Sequence, residues 1–225
     1  MPACHTGRVS RAAHASELPV VLFDFDGTIA DSFELVLAQY NAIAPRFRAR
    51  AVDHAELPRL RKLAVPEIMR EHRVTYWKLP LLVWSMRRRL HAHVADVAPF
   101  PGIVEALHAL RDAGVRSSVL STNSSANIER FLSRHDLRVF DDVAGGVSMF
   151  GKARALRRWV ARAGVPKERV VYVGDEERDI DAAKAAGIRS VAVSWGYADR
   201  AQLAARRPTH LVDHPRELVT LILSG

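Results

Sequence analysis

Three times in the second half of the chain a helical stretch closes on a glycine and a short apolar run follows. Gly114 precedes Val115–Ser121, Gly164 precedes Arg169-Val170-Val171-Tyr172-Val173, and Gly187 precedes Arg189–Ser194. Glycine ends a helix readily because it adopts the left-handed conformation a helix terminus needs. The apolar runs are short and continuous, as strands covered on both faces are. Helices of roughly ten residues alternating with such strands predict a doubly wound, parallel α/β sheet of Rossmann type. The expected elements are helices over 103–113, 124–134 and 152–163, an alanine-rich helix ending at Gly187, and strands over 115–121, 137–144, 169–173 and 189–194. Val20-Val21-Leu22-Phe23 supplies one more strand ahead of them.

Between that first strand and Pro99-Phe100-Pro101-Gly102 the texture is different. Residues 32–98 carry no strand pattern. Phe33, Val36 or Leu37, Tyr40 and Ala44 share a helical face that Pro45 interrupts, and Leu82, Met86, Leu90 and Val94 resume at a spacing of four. The expected organisation is therefore a tail over 1–18, an α/β core over 19–31 and 99–225, and a helical insert over 32–98. The tail holds Cys4, His5 and His14 at spacings that fit no zinc pattern, and a lone cysteine leaves no internal disulfide.

The first 18 residues lack the apolar segment of a secretory signal, and no window matches a membrane span, so a cytoplasmic protein with no membrane association is the expectation. Lys and Arg number 33 against 25 Asp and Glu, a formal +8 that suits nucleic acid, an anionic surface or anionic small substrates equally.

A doubly wound sheet binds ligands beyond the carboxyl ends of its strands. Those ends here carry Asp24 and Asp26, then Ser121-Thr122-Asn123, then Gly174-Asp175-Glu176-Glu177-Arg178-Asp179, with Lys152 opening a helix between the last two. Carboxylates after a strand often serve only the next turn, and Asp175 and Asp179 also suit a helix N-terminus. Residues 24 and 26 nevertheless crowd two negative charges at one place, and residues 175 and 179, four apart, converge on another. A hard divalent cation such as Mg2+, which takes oxygen ligands and bridges to phosphate, relieves both. Lys152 opposes the dipole of the helix it begins, so it is either a solvent-facing residue or a partner for an anion. Thr122 and Asn123 lie where free backbone N–H groups favour phosphate.

Taken in order, DFDGT, an apolar strand ending in STN, an isolated lysine after Phe150-Gly151, and VGDEERD resemble the four motifs of the haloacid dehalogenase superfamily of aspartate-nucleophile phosphatases. The resemblance covers about 18–223. It is nearest to the phosphoglycolate-phosphatase-like branch, through DGTIADS, PFPGIVEALHALRDAG and VAVSWGYADRAQL. It implies that Asp24 attacks phosphorus to form an aspartyl phosphate and that Asp26 acts as acid and then base. It also implies that Asp24, the Asp26 backbone carbonyl and Asp175 hold Mg2+, with Asp179 close by or acting through water, and that Lys152, Thr122, Asn123 and the backbone around Gly27 and Thr28 receive the phosphate. The dehalogenases of the superfamily lack an acid at the position of Asp26, so the resemblance favours phosphoryl transfer.

Asp24 and Thr122 are 98 positions apart and Thr122 and Lys152 only 30, so the insert belongs to the first gap and resembles the small helical cap of the superfamily. The expected partner is a small phosphorylated metabolite. Arg46, Arg48, Arg50, Arg59, Arg61, Lys62 and Arg87-Arg88-Arg89 are expected mainly on a solvated face, with a minority left to meet substrate. A phosphomutase uses the same residues, and a basic nucleic-acid-binding protein, without any recognisable binding motif, is the least favoured alternative.

Overall fold

The computed structural model describes residues 18–60, 63, 65–93, 96–148 and 150–224. Residues 1–17 with Cys4, His5 and His14 lie outside the described residues, as do Arg61, Lys62, Val94 and the side chains of Arg87 and Leu90. Leu18 is described. It packs against the core, and its carbonyl accepts a hydrogen bond from Arg169 at 2.7 Å.

The chain opens with β1 (Val20–Phe23) and leaves the sheet for a helical block: α1 (Phe33–Ile43), α2 (Leu57–Leu60), α3 (Val65–Glu71) and α4 (Leu79–His93). It returns through α5 (Ile103–Asp112), β2 (Ser117–Leu120), α6 (Ser125–Arg134), β3 (Asp142–Ala144), α7 (Lys152–Ala163), β4 (Val170–Gly174), α8 (Glu177–Ala186) and β5 (Arg189–Val193). It closes with α9 (Arg200–Ala205), β6 (His210–Val212) and α10 (Pro215–Leu223). All strand pairs are parallel, in the order β3-β2-β1-β4-β5-β6. The order reverses between β1 and β4, and the crevice beyond their carboxyl ends is where such a sheet takes a ligand.

Successive residues of a strand face opposite sides, and both sides are filled. Val21 and Phe23 of β1 join the larger core cluster, whereas Val20 and Leu22 join the cluster under α7 and α8. Phe23 and Phe25 are fully buried and meet Phe140 and Phe131 edge-on, with ring centroids 5.9 and 5.0 Å apart. Burial of each such ring contributes roughly 2–3 kcal/mol.

The strand expected from Val115 begins two residues later, because Val115 is used to end α5. Its N–H donates to Leu110 and that of Gly114 to Arg111, with Gly114 at φ +87°. This is the Schellman arrangement that satisfies the last carbonyls of a helix. The strand expected over 137–144 shrinks to Asp142–Ala144 for a related reason: Leu137 donates back to Leu132, with Asp136 at φ +53°. Past Ser194, β6 is only three residues long, too short for a periodic signal.

Among the described residues 32–98 contain helices and turns and no strand. Ile43, Met69, Leu79 and Leu82 form a small core of their own, with Tyr40 and Phe47 against it. Several of its cations are taken up by neighbours: Arg50 pairs with Glu56, both oxygens of Glu71 accept from Arg59, and Arg89 donates to Gln39.

Candidate active site

β1 ends at Phe23, and the N–H of Asp24 donates to the Val173 carbonyl at 2.8 Å, tying the ends of the two central strands together. The chain then turns tightly, with the N–H groups of Thr28, Ile29 and Ala30 all directed to the Phe25 carbonyl. Gly27 makes the turn possible at φ +79°, and a Cβ there would lie 2.1 Å from the Asp175 carboxylate. The turn delivers two different carboxylates from residues two apart.

Asp24 is buried. One of its oxygens accepts from the Phe25 N–H at 2.8 Å and the other from Lys152 Nζ at 2.6 Å. Lys152, 3% exposed, also reaches Asp179 at 2.5 Å. Burial alone would pull its ammonium down, but Asp179 and Asp24 overcome that and hold it well above the usual lysine range. The solvent-facing alternative for Lys152 is thereby excluded.

Asp175 is fully buried and held on both oxygens, by the Thr28 hydroxyl at 2.9 Å and the Tyr197 N–H at 2.8 Å. Asp179 accepts from the Glu176 N–H at 3.0 Å. Loss of solvent, followed by repulsion from Glu176, Asp179 and Asp24, pushes Asp175 well above the carboxylate range. Burial likewise raises Asp179, to about 6, although Lys152 opposes the shift.

Asp24, Asp175 and Asp179 offer oxygens that all lie within 4.8 Å of one another. Three dry, mutually repelling carboxylates with only oxygen donors fit a hard divalent cation, and a single ammonium neutralises them incompletely. Glycines make the cradle: a Cβ on Gly174 would meet Asp179 at 2.5 Å, and one on Gly196 would meet the Cβ of Asp175 at 2.3 Å.

The Asp26 side chain takes another direction. Its carboxylate accepts from the Ser32 hydroxyl at 2.7 Å and from the Asn123 amide at 2.9 Å, and it is outside the acidic trio. Burial pushes it up to about 6. Ser32 and Asn123 hold it down, Asp24 raises it further, and Arg178 lowers it. A carboxyl near 6 exchanges protons readily around neutral pH. Asn123, expected at the phosphate, instead uses one amide hydrogen on Asp26, and its carbonyl accepts from Ser124 and Asn127. Thr122 is half-buried, two residues past the end of β2 and next to Asn123 in sequence.

A cavity of about 370 Å³ opens beside Glu176, Arg178 and Tyr197. Its far wall is apolar and comes from the helical block, through Phe33, Leu37, Val52, Leu57, Leu60 and Ile68. The described arginines of that block are absent from the wall, and the cations lining the cavity come from the α/β core: Arg178, paired with Glu176, and Arg206, paired with Glu177 and Asp181.

Sequence reasoning missed Ser32, Gly196 and Tyr197. The last two follow β5, a strand end from which no residue had been drawn. Trp195 next to them braces the first turn, its indole N–H donating to the Thr28 carbonyl at 3.1 Å.

The model of the haloacid dehalogenase-like hydrolases matches residues 21–193. A phosphoglycolate phosphatase of Synechococcus elongatus is 37% identical over 206 residues, covering 91% of this chain and 97% of that protein. Tyrosine-protein kinase PtkA of Mycobacterium tuberculosis is 31% identical, covering 91% of this chain and 72% of its own length. The crystal structure of a predicted phosphatase from Clostridium acetobutylicum superposes with a TM-score of 0.78 at 21% identity, covering 92% of this chain and 99% of that one. With the matched residues running from β1 through β5 and the acidic motifs converging at the switch of the sheet, the chain belongs to the haloacid dehalogenase-like hydrolase family and is an enzyme of its phosphatase type.

Proposed function

We propose that this protein is a Mg2+-dependent phosphatase that hydrolyses a small phosphate monoester through an aspartyl-phosphate intermediate. The observation that carries the reading is the buried set of Asp24, Lys152, Asp175 and Asp179 beside a separately held Asp26.

The carboxylate of Asp24 attacks phosphorus. A bond forms between its oxygen and phosphorus, and the bond from phosphorus to the leaving alcohol breaks. Asp26 gives its proton to the departing oxygen. In the second half water attacks the same phosphorus, Asp26 takes its proton, and phosphate leaves Asp24 free. Two displacements replace one difficult hydrolysis. Lys152 pairs with Asp24 and, with Thr122 and the backbone around Gly27, faces the negative phosphoryl oxygens.

Asp24, Asp175 and Asp179, with the Asp26 carbonyl as the resemblance implies, would hold Mg2+. The ion would supply positive charge against those oxygens. Thr28 and the Tyr197 N–H fix Asp175 for that task.

The alcohol portion of the substrate lies toward the cavity of about 370 Å³, which supports a small phosphorylated metabolite as substrate. Phosphoglycolate is a candidate because a relative bears that name. The test is phosphate release from a panel of phosphoglycolate, sugar phosphates, nucleotides and pyrophosphate in Mg2+, with Asp24→Asn as control. Release from one or more members by the parent and none by the variant supports the reading. Identical behaviour of the two proteins overturns it, and an isomerised sugar phosphate as product indicates a mutase.

A further inference from the structure

Asp26 is held by two hydrogen-bonded arms, one on each carboxylate oxygen. On the first, the Ser32 hydroxyl donates to Oδ1 at 2.7 Å and also lies 2.7 Å from the Tyr197 hydroxyl. Serine has one hydroxyl hydrogen, and the carboxylate takes it, so Tyr197 donates to Ser32. The Tyr197 ring in turn packs edge-on against Phe33, the first residue of α1, with centroids 5.2 Å apart.

On the second arm, Asn123 Nδ2 donates to Oδ2 of Asp26 at 2.9 Å. The orientation of this amide is fixed, because its oxygen accepts from the Ser124 N–H at 2.8 Å and from Asn127 Nδ2 at 2.9 Å. That leaves the Asn127 oxygen facing His91 Nδ1 at 2.7 Å. An amide oxygen only accepts, so Nδ1 of His91 carries the hydrogen. The chain His91, Asn127, Asn123, Asp26 therefore runs donor to acceptor in one direction from the exposed face of α4 to the site. Asn123 and Asn127 are buried.

We infer that Tyr197 with Ser32, and His91 with Asn127 and Asn123, are positioning residues that set the plane of the Asp26 carboxyl for proton transfer to the leaving group. Each arm takes one lone pair of one oxygen, leaving the others for the leaving alcohol or the attacking water. A carboxyl free to rotate loses that alignment, and proton transfer depends on it steeply. None of the five side chains is needed for attack by Asp24 or for the acidic trio. The inference rests on the reading of Asp26 as acid and base.

The chemistry supplies a selective test. An alkyl alkoxide leaves only with a proton, whereas p-nitrophenolate leaves without one. Tyr197→Phe and His91→Phe, which remove one donor at the far end of each arm, are compared with the parent on 2-phosphoglycolate or another alkyl phosphate that the parent hydrolyses, and on p-nitrophenyl phosphate. Thermal melts establish that the variants are folded. The expected result is a fall in kcat of about tenfold or more on the alkyl ester and within about threefold on the aryl ester. His91→Asn, whose Nδ2 takes the place of Nδ1 and restores a donor to Asn127, recovers the alkyl rate. Equal losses on both esters overturn the inference, as does no loss on either in the single variants and the double variant. A parent that releases phosphate from neither ester overturns the phosphatase reading, a result distinct from equal losses in an active parent.

Discussion

Lys152 Nζ sits 2.6 Å from Asp24 and 2.5 Å from Asp179, a cation wedged between two carboxylates where all three side chains are under 5% exposed. Removing it as Lys152→Met leaves two buried carboxylates uncompensated. Breaking such a pair costs about 3–5 kcal/mol. Urea unfolding in EDTA at pH 8 is expected to show a loss of that size. The loss shrinks toward pH 5.5, where a carboxylate freed of its partner takes up a proton instead. Phosphate release is expected to fall by at least about a thousandfold. A variant as stable as the parent at pH 8 contradicts this account of Lys152.

The motifs around Lys152 were legible because topology does the gathering. A parallel sheet aims every strand's carboxyl end the same way, so Asp24, Thr122 and Asp175 needed only correct strand assignments to converge. Gly114 and Gly187 marked two helix ends reliably, since few other residues adopt the left-handed cap. What stayed hidden depends on side-chain direction. Residues 24 and 26 were expected to crowd one metal site, but the turn at Gly27 sends Asp26 toward Ser32 and Asn123. Tyr197 lies 165 positions from Ser32, and nothing local in Trp195-Gly196-Tyr197 announces a partner there. His91 reads in sequence as one more basic residue at a helix end.

Asp26 is raised from 3.8 to about 6, chiefly by burial, so the folded chain binds this proton more tightly than the unfolded one. Stability from this group is therefore present at low pH and lost as pH rises through the window from 3.8 to about 6. Asp26→Asn removes the charge but leaves its own amide facing that of Asn123, so part of the gain is forfeited. In EDTA at pH 8 the variant is expected to be about 1–2 kcal/mol more stable than the parent, with the difference gone or reversed at pH 4. A destabilised variant at pH 8 counts against burial as the dominant cause. Alkyl phosphate hydrolysis is expected to be lost in the same variant.

Gly196 stands against Asp175 so closely that a methyl group has no room, with the Asp175 Cβ and the Gly27 carbonyl both 2.3 Å from the position it would take. Both neighbours are pinned, one by its hydrogen bonds and the other by its turn. Gly196→Ala is expected to destabilise the fold by about 1–3 kcal/mol. Because the displaced group is a metal ligand candidate, it is also expected to raise the Mg2+ concentration needed for half-maximal activity by at least about tenfold. A Mg2+ titration of activity measures this, and an unchanged midpoint places Asp175 outside the metal site.

Asp175 should show opposite effects with and without metal. In the metal-free protein it is a fully buried carboxylate pushed up by lost solvent and by Glu176, Asp179 and Asp24. Asp175→Asn keeps an acceptor for Thr28 and relieves that repulsion, and although its amide then faces the Tyr197 N–H and forfeits part of the gain, the metal-free variant is expected to melt above the parent at pH 8. Mg2+ reverses the order. A ligand at a hundred times its Kd stabilises the folded state by about 2.7 kcal/mol, and the parent is expected to gain this while the variant gains little. The two melting curves, each recorded in EDTA and in excess Mg2+, should therefore cross. Equal shifts in both proteins would mean that Mg2+ binds elsewhere, and no shift in either would remove the acidic trio from consideration as its site.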